Sequence, residues 1–83
     1  MRYFFNLAGA VHDPDNAGVE LPDMEAARVL SVVHAAEIIR DRPQVVWEGD
    51  EVRVEVTDDR GLVLFTVIVA GVNSPALSAP KKP

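Results

Sequence analysis

The chain reads as an α+β domain of two layers, one helix packed on a three- or four-stranded antiparallel sheet, with elements in the order β-α-β-β. Three observations predict it. Residues 52–57 alternate apolar and polar side chains with the two-residue period of a strand, and residues 2–7 are rich in aromatics, with Tyr3, Phe5 and Leu7 alternating with Arg2, Phe4 and Asn6. Residues 24–41 contain neither Gly nor Pro and repeat apolar residues at helical spacing. Residues 58–61, Asp-Asp-Arg-Gly, form a tight-turn sequence that joins the second alternating stretch to an apolar run.

The first strand places Tyr3, Phe5 and Leu7 on the core side and Phe4 on the other. Residues 9–18 are rich in turn formers: Gly9, Asp13, Pro14, Asp15, Asn16 and Gly18. Between these turns, residues 10–12 and 19–21 have the composition to pair as a short extra ladder. Asp23 is a good helix N-cap, because its carboxylate can accept from an unpaired N–H of the first turn, and Glu25 suits the positive end of the helix dipole. The spacing of Ala26, Val29, Leu30, Val33 and Ala36, ending on Ile39 or Arg40, marks the expected buried face. Arg40 and Arg42 favour the C-terminal end, and Pro43 stops the helix. Val45, Val46 and Trp47 form either a short strand or an apolar connector over a sheet edge, and Gly49 and Asp50 a turn. Val52, Val54 and Val56 face the core, and residues 62–69 follow as a strand apolar on both sides, a pattern typical of a central strand.

A helical crossover usually returns a chain parallel to the strand it left. The expected sheet order is therefore first strand, last strand, penultimate strand. A three-residue turn at 58–61 puts Leu64, Thr66 and Ile68 on the face of Val52, Val54 and Val56. Val63, Phe65, Val67 and Val69 then share the opposite face with Arg53 and Glu55. One helix covers one face, so a second apolar face is left over. Phe4, Val63, Phe65 and Val67 are the candidate interface residues. Either a second copy of the chain or another protein covers them, or the 45–47 segment folds across them.

Composition narrows the function. The 83 residues suffice for one domain, 1–72, followed by a Pro-rich tail, 73–83, expected to be disordered. The chain has no Cys, hence no disulfide and no thiolate chemistry. Eight Lys and Arg against 13 Asp and Glu give a net charge of -5, the wrong sign for a phosphate-binding surface, so no nucleic-acid partner is expected. No apolar run reaches the roughly 18 residues of a membrane span, and residues 1–7 are too short and too polar for a signal peptide. A cytoplasmic bacterial protein with neither membrane nor small-molecule partner is the expectation. Small domains without disulfides or metals gain from self-association, so a homodimer is expected.

Tests for chemistry find no catalytic, cofactor or metal residues. Asp13, Asp15 and Gly18 match positions one, three and six of a calcium loop, but Ala17 and Met24 stand where the fifth and twelfth ligands are needed. His12 and His34 have no further His or Cys to complete a zinc set. Ser31 and His34 share a helix face without the strained turn that presents a nucleophile. The carboxylate pairs Asp58 with Asp59 and Asp50 with Glu51 occupy solvated turns and strand starts, poor places to raise a pKa. The expectation is a non-enzymatic interaction or regulatory module.

Several of these residues together form a pattern: Tyr3, Phe4, Phe5 and Leu7; Gly18, Val19, Glu20, Leu21, Pro22 and Asp23; then Ala26, Ala27 and Arg28. Val54 to Asp58, Gly61 and Leu64 extend it. It resembles a family of short bacterial proteins known only as a domain of unknown function, over about residues 1–70. Asn6 stands where His is common in that family. The resemblance supplies no activity and no catalytic residues. A weaker similarity, limited to Met1–Tyr3, Glu20–Asp23 and the helix, is to the HicB-like antitoxin domain. It implies an alternative role, an acidic inhibitor masking a basic partner protein.

Overall fold

The structure is a computed structural model that describes residues 1–49 and 51–78. Its elements are β1 (Arg2–Gly9), β2 (Val19–Glu20), α1 (Met24–Asp41), a 3-10 turn (Pro43–Trp47), β3 (Val52–Thr57), β4 (Val63–Val69) and a single helical turn, α2 (Pro75–Ser78). The α+β architecture stands, with one main helix on a four-stranded sheet that is antiparallel throughout. Part of the expected tail is thus helical; residues 79–83 of that tail, and Asp50 of the expected turn, lie outside the described residues.

The strand order differs from the expected one. It is β2-β1-β3-β4, with β3 in the centre and β4 at an edge. The cause lies in residues 10–20. They carry the chain back along β1, so that Val19 pairs with Tyr3 and Glu20 with Arg2 before the helix begins. The helix therefore starts beside the beginning of β1 and ends beside its finish. β3 enters there, Val52 opposite Gly9, and runs antiparallel to β1. The expected 10–12 with 19–21 ladder is absent among the described residues, and residues 19–20 pair with β1 instead.

α1 has the expected limits. Asp23 Oδ1 accepts from Ala26 N–H at 2.8 Å, and Arg42 N–H donates to Ile38 O at 2.8 Å to close the last turn. Its buried face is a different one. Ala27, Ser31 and Ala35 are the buried residues, whereas Val29 and Val33 are 58% and 46% exposed. Three small side chains spaced four apart let the helix lie close on a sheet already filled by Tyr3, Phe5, Val54 and Val56. Ser31 costs little there, because its Oγ donates to Arg28 O at 2.7 Å. Replacing Val33 with Lys should therefore change the unfolding free energy of the single chain, measured in dilute solution, by no more than about 0.5 kcal/mol. The same change at Ala35 should abolish the cooperative transition in urea.

The 58–61 turn forms as expected. Gly61 adopts a φ of 83°, its N–H donates to Asp58 O at 3.1 Å, and Asp58 N–H donates to Leu62 O at 3.1 Å. That geometry sets Thr57 opposite Val63. A bulge between Val56 and Thr57 then places Phe65, rather than Leu64, opposite Val56. One extra residue exchanges the two faces of everything that follows. Phe65, Val67 and Val69 consequently pack against the core beneath α1, while Thr66 and Ile68 face outward beside Glu55 and Arg53. The slip keeps Thr66, the one polar residue of β4, out of the core.

The 45–47 segment is neither a strand nor a cover for an outer apolar face. It forms the 3-10 turn, packed against α1, with Val45 fully buried. Trp47 lies across Gly71, where a Cβ would come within 2.6 Å of the indole.

Candidate functional site

Two regions have the form of a site, a cleft beside β1 and the free edge at β4. The cleft arises from the way residues 13–18 attach to the sheet. Leu7 and Asp13 exchange backbone hydrogen bonds at 3.0 and 3.1 Å, and further down β1 Tyr3 pairs with Val19. Between these points the loop bows away from the strand. The Asp15 carboxylate fills the gap: Oδ2 accepts from Phe5 N–H at 3.1 Å, and Oδ1 accepts from Ala17 and Gly18 N–H at 3.0 and 3.1 Å. Asp15 N–H in turn donates to Asn6 Oδ1 at 2.9 Å, and Asn6 Nδ2 donates to Glu55 O and Thr57 Oγ1. Asn6 thus both accepts and donates, and locks the loop to β1 and β3.

Burial of Asp15 works against its charge. The N–H groups of Gly18, Phe5 and Ala17, with a smaller contribution from His34, outweigh that effect and hold its pKa below the ordinary value. Its oxygens are committed to the backbone, which leaves it ill-suited to act as a base or to bind a cation. Sequence reasoning treated Asp15 as ordinary turn chemistry. The Asp-to-Gly spacing of 15 and 18 was the available signal of an Asx-type loop.

The bowed loop and α1 enclose an open cleft of about 580 Å³, lined by Phe5, Leu7, Val19, His34, Glu37 and Ile38 among others. The His34 and Phe5 rings lie 5.0 Å apart at 54°, and His34 Nδ1 is 3.7 Å from Glu37 Oε1. The Ser31 and His34 pair does not assemble, since Ser31 points into the core and bonds to Arg28. His12 is exposed in the loop. Among the described residues, no three His, Asp or Glu side chains are grouped to hold a metal ion.

The four candidate interface residues do not share one surface. Phe65 and Val67 lie under the helix, with Arg28 6.0 Å from the centre of the Phe65 ring. Val63 is half exposed at the bulged end of β4. Phe4 is on the outer sheet face, in a shallow groove with Asn6, Pro14 and Asp58. That face is largely polar: Arg53 pairs with Glu51 at 3.1 Å and Glu55 at 3.5 Å, and Asn6 bonds to Thr57. Exposed apolar side chains are also found on the outer side of α1. Val29, Val32 and Val33 are 58, 56 and 46% exposed, although their spacing is that of a packed helix face. At the sheet edge, β4 has no charged residue.

One main helix on a four-stranded antiparallel sheet, with an unpaired apolar edge, defines a small α+β module. The chain belongs to the family described as Domain of unknown function (DUF6894), whose profile matches residues 2–70. The unknown-function resemblance carried by the opening strand and the helix start is therefore shown; the HicB-like similarity is not. No curated protein and no solved structure matches the chain. No described helix is long and apolar enough to cross a membrane.

Proposed function

We propose that this chain is a non-enzymatic protein-interaction module that acts as a homodimer in the bacterial cytoplasm. One observation carries the reading. One copy leaves apolar side chains exposed both on α1, at Val29, Val32 and Val33, and on the uncharged edge strand β4, at Val63 and Ile68. A helix apolar on two sides normally has neighbours on two sides. Sedimentation equilibrium of the full chain at neutral pH tests it, with a dimer expected at micromolar concentration. Each copy carries a net charge of -5, so raising NaCl from about 50 to about 500 mM should increase the dimer fraction by screening repulsion. A dimer that weakens with salt would point to charge pairing instead of an apolar interface.

The same acidity supports a second reading, an antitoxin-like inhibitor that masks a basic protein. Its test is co-purification from the native cell with a small basic partner encoded next to it. Absence of such a partner would sink it.

A further inference from the structure

The backbone of β4 specifies more than an open edge. On β1, the N–H groups of Phe5 and Leu7 point away from β3, to Asp15 and Asp13. Antiparallel ladders alternate, so Phe4, Asn6 and Ala8 bond to Thr57, Glu55 and Arg53. Val52, Val54 and Val56 then bond to Val69, Val67 and Phe65. In the regular stretch of β4 after the bulge, Thr66 and Ile68 are left with their N–H and C=O groups turned outward. Among the described residues, neither makes a backbone hydrogen bond on that side.

We infer that β4 pairs with β4 of a second copy, antiparallel about a two-fold axis through Val67, to form one continuous eight-stranded sheet. This rests on the homodimer reading above and adds its geometry. Val67 is the middle residue of the regular stretch 65–69. An axis there sets Thr66 opposite Ile68 of the second copy, and the reverse, which satisfies every outward backbone group of that stretch with backbone bonds. The side chains agree with it. On the helix side Val67 meets its counterpart and Phe65 meets Val69; on the outer side Thr66 meets Ile68. No charge is placed in the seam, because β4 has none, so the acidity of the chain does not oppose it locally.

The helix supplies the remaining contact area. A short edge alone falls below the roughly 1,200 Å² typical of specific interfaces. The axis stands perpendicular to the sheet, so both α1 helices lie on the same face of the joined sheet. α1 packs over β3 and β4, and Arg28 lies against Phe65, which fixes the flank that faces the seam. Val32 is on that flank, one turn from Arg28, and is 56% exposed. The two Val32 flanks face each other above the paired strands.

The chain has no Cys, so single-cysteine variants report the register directly. Residues directly opposed lie about 4.5–5.5 Å apart between Cα atoms, within disulfide reach, whereas pairs beyond about 7 Å are not bridged. Val67→Cys is expected to give a disulfide dimer on mild oxidation of the full chain. Thr66→Cys alone and Ile68→Cys alone should stay reduced, and an equal mixture of the two should cross-link; both are surface positions that leave the core intact. Ile68→Lys should give a monomer with an unchanged circular dichroism spectrum. If the native chain sediments as a dimer but Val67→Cys and the mixture both fail to cross-link, the β4 seam is wrong and the homodimer reading stands. If Thr66→Cys cross-links alone, the axis is misplaced and the inference falls. A native chain that is monomeric throughout overturns both.

Discussion

Val54→Asp should leave the chain unfolded at 25 °C, with no cooperative thermal transition and a far-ultraviolet spectrum lacking the β and α signals. Val54 is fully buried in the central strand, flanked by Leu7 on β1 and Val67 on β4, beneath α1. An unpaired carboxylate there costs several kcal/mol, comparable with the roughly 4–12 kcal/mol expected for a domain of this size. The milder Val54→Ala should cost about 2–3 kcal/mol, from lost burial and an incompletely collapsed cavity. A Val54→Asp chain with a native spectrum would mean that β3 is not the centre of the sheet.

Asp15→Ala should lower stability by about 2 kcal/mol, which for a domain this small is a fall in Tm of roughly 10 °C. The substitution strips the partner from Phe5 N–H at the sheet edge and from Ala17 and Gly18 N–H in the loop. Water can replace the carboxylate at the two loop positions more easily than at Phe5, which keeps the cost below the full sum of three charge-assisted bonds. The pH dependence follows from the direction of the Asp15 shift. Its folded-state pKa lies below the unfolded one, so its contribution is present above the unfolded value of about 3.9 and is lost as pH falls through the folded value. The difference in stability between the native chain and Asp15→Ala should thus be constant from pH 5 to 7 and shrink below pH 4. A difference that grows on acidification would show that the carboxylate does not hold the loop.

Much of this fold is legible in the sequence, and the parts that are not have a common cause. Alternation located β1 and β3, and the cap at Asp23 with the stop at Pro43 located α1 to the residue. These are local signals. The face that a helix buries is set by what it lies on. The valines of α1 have the stronger hydrophobic pattern, but Ala27, Ser31 and Ala35 won the core because a sheet bearing Tyr3 and Phe5 needed a helix with little bulk. The β4 faces depended on one bulge that the turn sequence does not announce. Thr66 was the clue, since a lone polar residue in an apolar strand is better placed outward. The central position of β3 depended on residues 10–20 doubling back, which Gly9 and Gly18 permitted but did not dictate. The candidate interface named from sequence is divided for the same reason: Phe65 and Val67 pack partly against the core from the edge strand, Phe4 lies on the opposite face of the sheet, and further exposed apolar surface is on the helix.

The interaction reading rests on the open β4 edge and the exposed valines of α1. The most direct measurement is sedimentation equilibrium of the full chain over a concentration range that spans the low to high micromolar. The account predicts a mass rising to twice the 9.0 kDa of one chain; a mass that stays at one chain across the whole range would contradict it.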